Sequence, residues 1–254
     1  MPAPSVSIPG PLAAAVFLAR PNRFLLEARL AGGAEVVAHL PDPGRLIELL
    51  APGRRIWLRP AARPSGRKTA WTAVLVEGPA GSGLVSLDTT LPNRLVAAAL
   101  VAGSLPELAG WSLERAEAPV GRSRFDFLLR GHGKRRLALE VKSVTLVEKE
   151  VGLFPDAVTA RGTRHLRELA VLAGRDGWEA AVFFVAQRAD VVRVRAAREI
   201  DPGFAAALEE ARRAGVRVLA RRCRVGLDRV SLGAPVPVLS PERRPARPAR
   251  WHYR

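Results

Sequence analysis

Cysteine occurs once in the 254 residues, as Cys223, so the chain can form no internal disulfide. With only four histidines, no Cys/His cluster offers a structural zinc site either. A reduced, cytoplasmic setting is the expectation. Lysine is nearly as scarce, at Lys68, Lys134, Lys142 and Lys149 among 40 basic residues. Aromatic residues make up 6%, which leaves little for base stacking; in the barrel region the candidates are Phe24, Trp57 and Trp71, and all three suit a core better than a ligand. The apolar stretch from Pro11 to Leu18 is far below the ~20 residues that span a bilayer, and no basic segment precedes it. Secretion and membrane anchoring are therefore not expected.

What is present is the balance of a globular protein, 48% hydrophobic and 25% charged, at a length that favours two cores over one. The formal net charge is +16, a field that attracts polyanions and speeds their association. The preference for arginine over lysine fits a GC-rich coding bias, but that bias does not explain the excess of bases over 24 acids. Nucleic acid is the leading partner class: DNA first, with RNA as an alternative.

From Ala13 to Leu87 the pattern is of short apolar runs broken by turn residues: Ala14–Leu18, Phe24–Leu30, Glu35–Leu40, Arg55–Leu58, Trp71–Val76 and Leu84–Leu87. Evenly spaced strands of this kind predict a small barrel of the oligonucleotide-binding (OB) type. Asp42-Pro43 before Arg45–Leu50 predicts one helix among them. Beyond Asn93 strands alternate with helices. Helices are expected at Arg94–Ala102, Val158–Ala173 and Gly203–Ala214, and strands at Leu113–Ala118, Arg124–Leu129, Arg136–Lys142, Ala180–Val185, Val191–Arg195 and Val216–Ala220, giving a mixed α/β sheet. The expected division is a barrel over 1–90, an α/β domain over 91–240 and a basic Pro/Arg-rich tail over 241–254. A helix-turn-helix is not expected, because Val216–Ala220 alternates like a strand where a recognition helix would have to follow.

Three residues carry chemistry: Asp126 in one strand, and Glu140 and Lys142 in the next. Residues two apart on a strand share a face, so Glu140 and Lys142 project together, and a hairpin through Gly131-His132-Gly133 can bring Asp126 beside them. Two carboxylates can hold a divalent hard cation, Mg²⁺ or Mn²⁺, that polarises a phosphodiester and acidifies a water; a lysine positions or deprotonates that water. Asp126 and Glu140 are the expected metal ligands, with Lys142 as the third catalytic residue. Glu114 or Glu117 could complete the shell. Asp126 lies between Phe125 and Phe127, an unusual place for an acid without a role. Lys142 stands where this chain nearly always uses arginine, which cannot give up its proton. Alternation alone would also put such residues on the solvated face of a hairpin.

A second cluster follows in Phe154–Leu166. Asp156 is expected to cap the coming helix, and Arg161, Arg164 and His165 can present donors to a phosphate or to the metal-bound water. The alternative is a surface helix that packs Leu166, Leu169 and Leu172 inward.

At these residues the chain resembles the sugar fermentation stimulation protein A family. The resembling blocks are His39–Arg45, Asp88–Asn93, Ser123–Phe127, Glu140–Leu146 and Phe154–Leu166, in the family's order. The resemblance implies an N-terminal OB-like domain, a C-terminal domain of the PD-(D/E)-x-K restriction-nuclease type, DNA binding, and a link to regulation of sugar (maltose) metabolism. It places Asp126, Glu140 and Lys142 at the family's active-site-like positions. Arg45 and Arg124, inside resembling blocks, join Arg161, Arg164 and His165 as candidate nucleic-acid contacts. One departure is visible: where the family usually has Asn and Thr, this chain has Asp42 and Pro43.

Overall fold

The computed structural model describes residues 3–61 and 69–240. The Arg-rich tail after Ser240, together with Lys68, lies outside the described residues. Strands β1 (Ser5–Ser7), β2 (Ala13–Asn22), β3 (Leu25–Leu30), β4 (Glu35–His39), β5 (Arg55–Pro60), β6 (Trp71–Glu77) and β7 (Leu84–Ser86) precede the first helix. Strands β2 to β6 form a closed barrel: antiparallel neighbours run β4-β3-β2-β5-β6, and a parallel pairing of Ala38 with Trp71 and His39 with Thr72 closes the ring. This is the OB arrangement. Alternation drives it, since Ala15, Phe17, Leu26, Ala28, Ile56 and Leu58 point inward and are almost fully buried.

The helix expected over Arg45–Leu50 does not form; the segment makes only a turn, with Leu46 at a φ of 49°. Packing wins over local propensity here, because Leu46 and Leu49 both enter the barrel core. A second departure is β1. It pairs not with the barrel but with the last strand of the described residues, so Ser5–Ser7 belongs to the larger sheet.

The second unit comprises α1 (Leu91–Val101), β8 (Ser112–Val120), β9 (Ser123–Arg130), β10 (Arg136–Val144), β11 (Val147–Glu148), β12 (Val151–Phe154), α2 (Ala160–Ala173), β13 (Trp178–Ala186), β14 (Arg193–Ala196), α3 (Pro202–Arg213), β15 (Arg217–Val225) and β16 (Arg229–Pro235). Its seven-stranded mixed sheet has the order β1-β16-β15-β13-β10-β9-β8. The central strands β10, β13 and β15 are parallel and the flanking ones antiparallel. Helix α1 covers one face and α2 with α3 the other, each sealing its own apolar cluster. The expected strand at Val191–Arg195 is shorter and joins a separate three-stranded sheet with β11 and β12. Segment Arg217–Val225 is a strand, so no recognition helix follows α3. No helix among the described residues is long and apolar enough to cross a membrane.

Several polar contacts join the barrel to the second unit, among them the Ser86 N–H to the Gln187 carbonyl at 3.1 Å and a bond at Arg45. At Arg45 the backbone N–H donates across the junction to Asp156 Oδ2 at 2.9 Å, and within the barrel the Gly44 N–H donates to Asp42 Oδ1 at 2.8 Å. Gly44 is required there because a Cβ would collide with the Asp156 carboxylate. Asp156 therefore serves the junction and not the α2 cap expected of it. Burial pushes the Asp42 carboxyl up to about 6, with Asp156's charge adding to the effect and the Gly44 N–H and Arg20 opposing it. Between roughly pH 4 and pH 6 the folded state then holds a proton that the unfolded state has released, so this group's stabilisation is full at acid pH and is lost as pH rises through 6. Asp42→Asn, the residue usual in the resembling family, removes that dependence. The variant is expected to match wild type near pH 4 and to exceed it by on the order of 2–3 kcal/mol at pH 7. Urea unfolding of both proteins at the two pH values checks this, and an equal difference at both would refute it.

Candidate metal centre

The β9–β10 ladder pairs Leu139 with Phe127 and stops there. At the next position, where Asp126 would face Glu140, a side chain replaces the backbone acceptor. Asp126 Oδ2 accepts the Val141 N–H at 2.7 Å, and Asp126 Oδ1 accepts from Asn93 Nδ2 at 2.8 Å. Strand β9 also changes face at this point: Phe125 packs with the α2–α3 cluster and Phe127 with the α1 cluster. The two phenylalanines thus anchor the strand on opposite faces of the sheet, with the acid at the bend between them.

Glu140 is 4% exposed. Its Oε1 lies 2.5 Å from Lys142 Nζ and 2.6 Å from His165 Nδ1, while its Oε2 is buried without a hydrogen-bond partner. Burial alone would raise the Glu140 carboxyl, but the His165 hydrogen bond and the Lys142 charge outweigh it and hold the group below its ordinary value. Asp126 goes the other way, raised by burial first and then by the negative charge of Glu140. Two interacting carboxylates, one with an orphaned buried oxygen, make a site that a hard divalent cation would satisfy: it would pair the orphan and cancel the repulsion.

Neither proposed third acid completes the site. Glu114 pairs with Arg130 and Arg136 at 3.4 and 3.1 Å, and Glu117 pairs with Arg124 at 3.0 Å. Among the described residues no group of three or more His, Cys, Asp or Glu side chains is gathered for a metal. A two-carboxylate site suits Mg²⁺, which keeps several waters and can take phosphate oxygens as further ligands.

His165 does not lie on the surface with Arg161. It is 2% exposed and set beneath Glu140, its ring edge-on to Phe125 at 5.7 Å between centroids. Two caps place it there. Thr159 accepts from the Gly162 N–H at 3.1 Å to start α2, and Asp201 holds the Thr159 N–H at 2.8 Å while capping α3 through Phe204 at 2.8 Å. Leu166, Leu169 and Leu172 then pack inward. Arg45, Arg124, Arg161 and Arg164 are exposed. Asn93, which orients Asp126, was assigned no role in the sequence; its only signal was a place in the resembling block Asp88–Asn93.

The model for the SfsA N-terminal OB domain matches residues 18–87, and that for the sugar fermentation stimulation protein RE domain matches residues 90–229. The sugar fermentation stimulation protein homolog of Moorella thermoacetica is 49% identical over 233 residues, covering 92% of this chain and 99% of that one. That of Shouchella clausii is 49% identical over 230 residues, covering 90% and 98%. Among solved structures, Pyrococcus furiosus SfsA in complex with Ca²⁺ superposes with a TM-score of 0.80 at 31% identity, covering 92% of this chain and 98% of that one. A closed OB barrel, a mixed sheet flanked by three helices and end-to-end similarity at this level together place the chain in the sugar fermentation stimulation protein family.

Proposed function

We propose that this protein binds DNA through phosphate contacts, holds Mg²⁺ or Mn²⁺ between Asp126 and Glu140, and cleaves phosphodiesters there. The observation that carries the reading is the buried, unpartnered Glu140 Oε2 beside a second carboxylate and a lysine. When bound, the divalent ion supplies polarisation of the phosphate and an acidified water. The chain's own residues do the rest. Asn93 and the Val141 N–H fix the Asp126 carboxylate, His165 and Lys142 keep Glu140 ionised, and the Lys142 ammonium offers positive charge to the phosphate oxygens. The Ca²⁺ in the Pyrococcus furiosus relative supports this assignment, because Ca²⁺ takes the same class of oxygen ligands.

The decisive experiment incubates the protein with duplex DNA, single-stranded DNA and RNA in Mg²⁺, Mn²⁺ or EDTA. Cleavage is expected in either metal, to stop in EDTA, and to be absent in Glu140→Gln. Failure of both metals to support cleavage of any substrate, together with no metal uptake by calorimetry, overturns the proposal. Binding itself should be sequence-tolerant, since net charge and not a base-reading helix drives it. Log affinity should fall linearly and steeply with log salt. A flat titration, or a preference of orders of magnitude for one sequence over random DNA, contradicts phosphate-led binding.

A further inference from the structure

Between the barrel and the second unit, beside α1, lies a cavity of about 450 Å³. Its polar lining comes from His39, Arg59 and Thr72 at the ends of β4, β5 and β6, from Ser86 at the end of β7, and from Thr90 and Arg94 at the start of α1. Arg59 and His39 have no ion pair or side-chain hydrogen bond with any other described residue. Thr72 lines the cavity and is 7% exposed, and its hydroxyl bonds to no described residue. Ser86 is 1% exposed; its Oγ accepts the Asp88 N–H at 3.2 Å, which leaves the hydroxyl proton free to donate. Arg59, His39 and Thr72 thus bring donors without a described partner to one cavity, a lining that suits an anionic acceptor.

The acid on this wall, Asp88, does not fill that role or repel an anion strongly. Its Oδ1 accepts from the Thr90 N–H and hydroxyl at 2.9 and 2.7 Å, and its Oδ2 pairs with Arg94 at 3.4 Å. Its charge is balanced by Arg94, and Arg59 pairs with no described acid. Ile8, Pro9 and Pro41 supply an apolar wall. A volume in the range of small-ligand pockets, roughly 300–1,000 Å³, excludes a duplex and accommodates one nucleotide.

We propose that this cavity binds a nucleotide through its phosphate monoester, as a free nucleoside monophosphate or as the phosphorylated end of a strand. Arg59, Thr72 and Ser86 donate to the phosphate, and the apolar wall receives the base. Asn93 and Arg94 are consecutive residues in the first turn of α1; one holds Asp126 and the other lines the cavity, so the two sites flank a single helical turn. The inference takes only the nucleic-acid partner from the function proposed above, and binding measured in EDTA separates its failure from failure of the metal centre.

The test compares short labelled DNA strands bearing a 5′-phosphate, a 3′-phosphate or hydroxyl ends, by fluorescence anisotropy in EDTA. One phosphorylated end is expected to bind about tenfold tighter than the hydroxyl form, as charge-assisted hydrogen bonds would give. Competition by AMP but not adenosine would assign the cavity to a free nucleotide; an end preference that AMP does not relieve would assign it to the strand end. Arg59→Gln and Thr72→Val should each remove the increment, whereas Arg213→Gln on α3, an equal loss of charge, should keep it. Thr72→Val alters no hydrogen bond within the described fold, so it decides the matter even if Arg59→Gln does not fold. Equal affinity for phosphorylated and hydroxyl strands with no displacement by AMP overturns the proposal, as does an increment that survives both substitutions.

Discussion

Lys142→Met is expected to lower metal-dependent cleavage by about 10²–10³, the usual cost of removing one preorganised donor from developing negative charge. DNA affinity should hardly change, because the Lys142 side chain is 12% exposed and its charge is engaged with Glu140. Metal affinity should rise. The ammonium sits 2.5 Å from Glu140 Oε1, so removing it leaves that oxygen with His165 alone and takes a positive charge away from the cation. That combination distinguishes a catalytic role from a structural one, since a collapsed site would lose metal, affinity and cleavage together. Cleavage assays and metal titration calorimetry on the same preparation read all three quantities. Wild-type cleavage rates in the variant, or weakened metal binding in a folded protein, would remove Lys142 from the mechanism.

The pieces of the site that were legible in the sequence are those set by local periodicity. Glu140 and Lys142 share a face because a strand has period two, and a short hairpin turn brings β9 beside β10. The barrel was legible for the same reason, as its strands alternate inward and outward. What could not be read was the direction of a helix face and any contact between distant segments. Arg161 and His165 are four apart on α2, yet His165 lies in the buried stripe with Leu166, Leu169 and Leu172 and under Glu140, while Arg161 at the edge of that stripe is exposed. Asp156 carries the signal of a helix cap and instead accepts from Arg45, 111 residues away in sequence. Leu46 and Leu49 follow good N-terminal helix chemistry and are taken by the barrel core. Strand β1, Ser5-Val6-Ser7, carries no strand signal of its own, and β16, more than two hundred residues later, supplies its edge.

The residue least legible of all predicts the largest loss of stability. Arg188 follows β13 in a run, Gln187-Arg188-Ala189-Asp190, that suggests an exposed turn; it is 1% exposed. Its guanidinium grips Asp190 through Nε and Nη2, both at 2.7 Å, and donates to the Thr145 carbonyl at 3.0 Å. From the barrel side Ser82 Oγ lies at 3.4 Å and Glu48 Oε1 at 3.8 Å. One side chain therefore neutralises acids from both halves of the molecule. Arg188→Ala leaves those acids and a buried carbonyl without a partner, and should destabilise the protein by about 3–5 kcal/mol. Arg188→Lys should recover only part of this, because a single ammonium cannot reproduce the two-pronged grip on Asp190. Since the partners come from both units, the loss should also weaken their coupling, and a single urea transition should broaden or split. Urea unfolding followed by tryptophan fluorescence, with hydrogen exchange at β7 and β13 to assign the steps, measures both effects. A loss below about 1 kcal/mol with one sharp transition would mean that water takes over the arginine's partners on both sides of the junction.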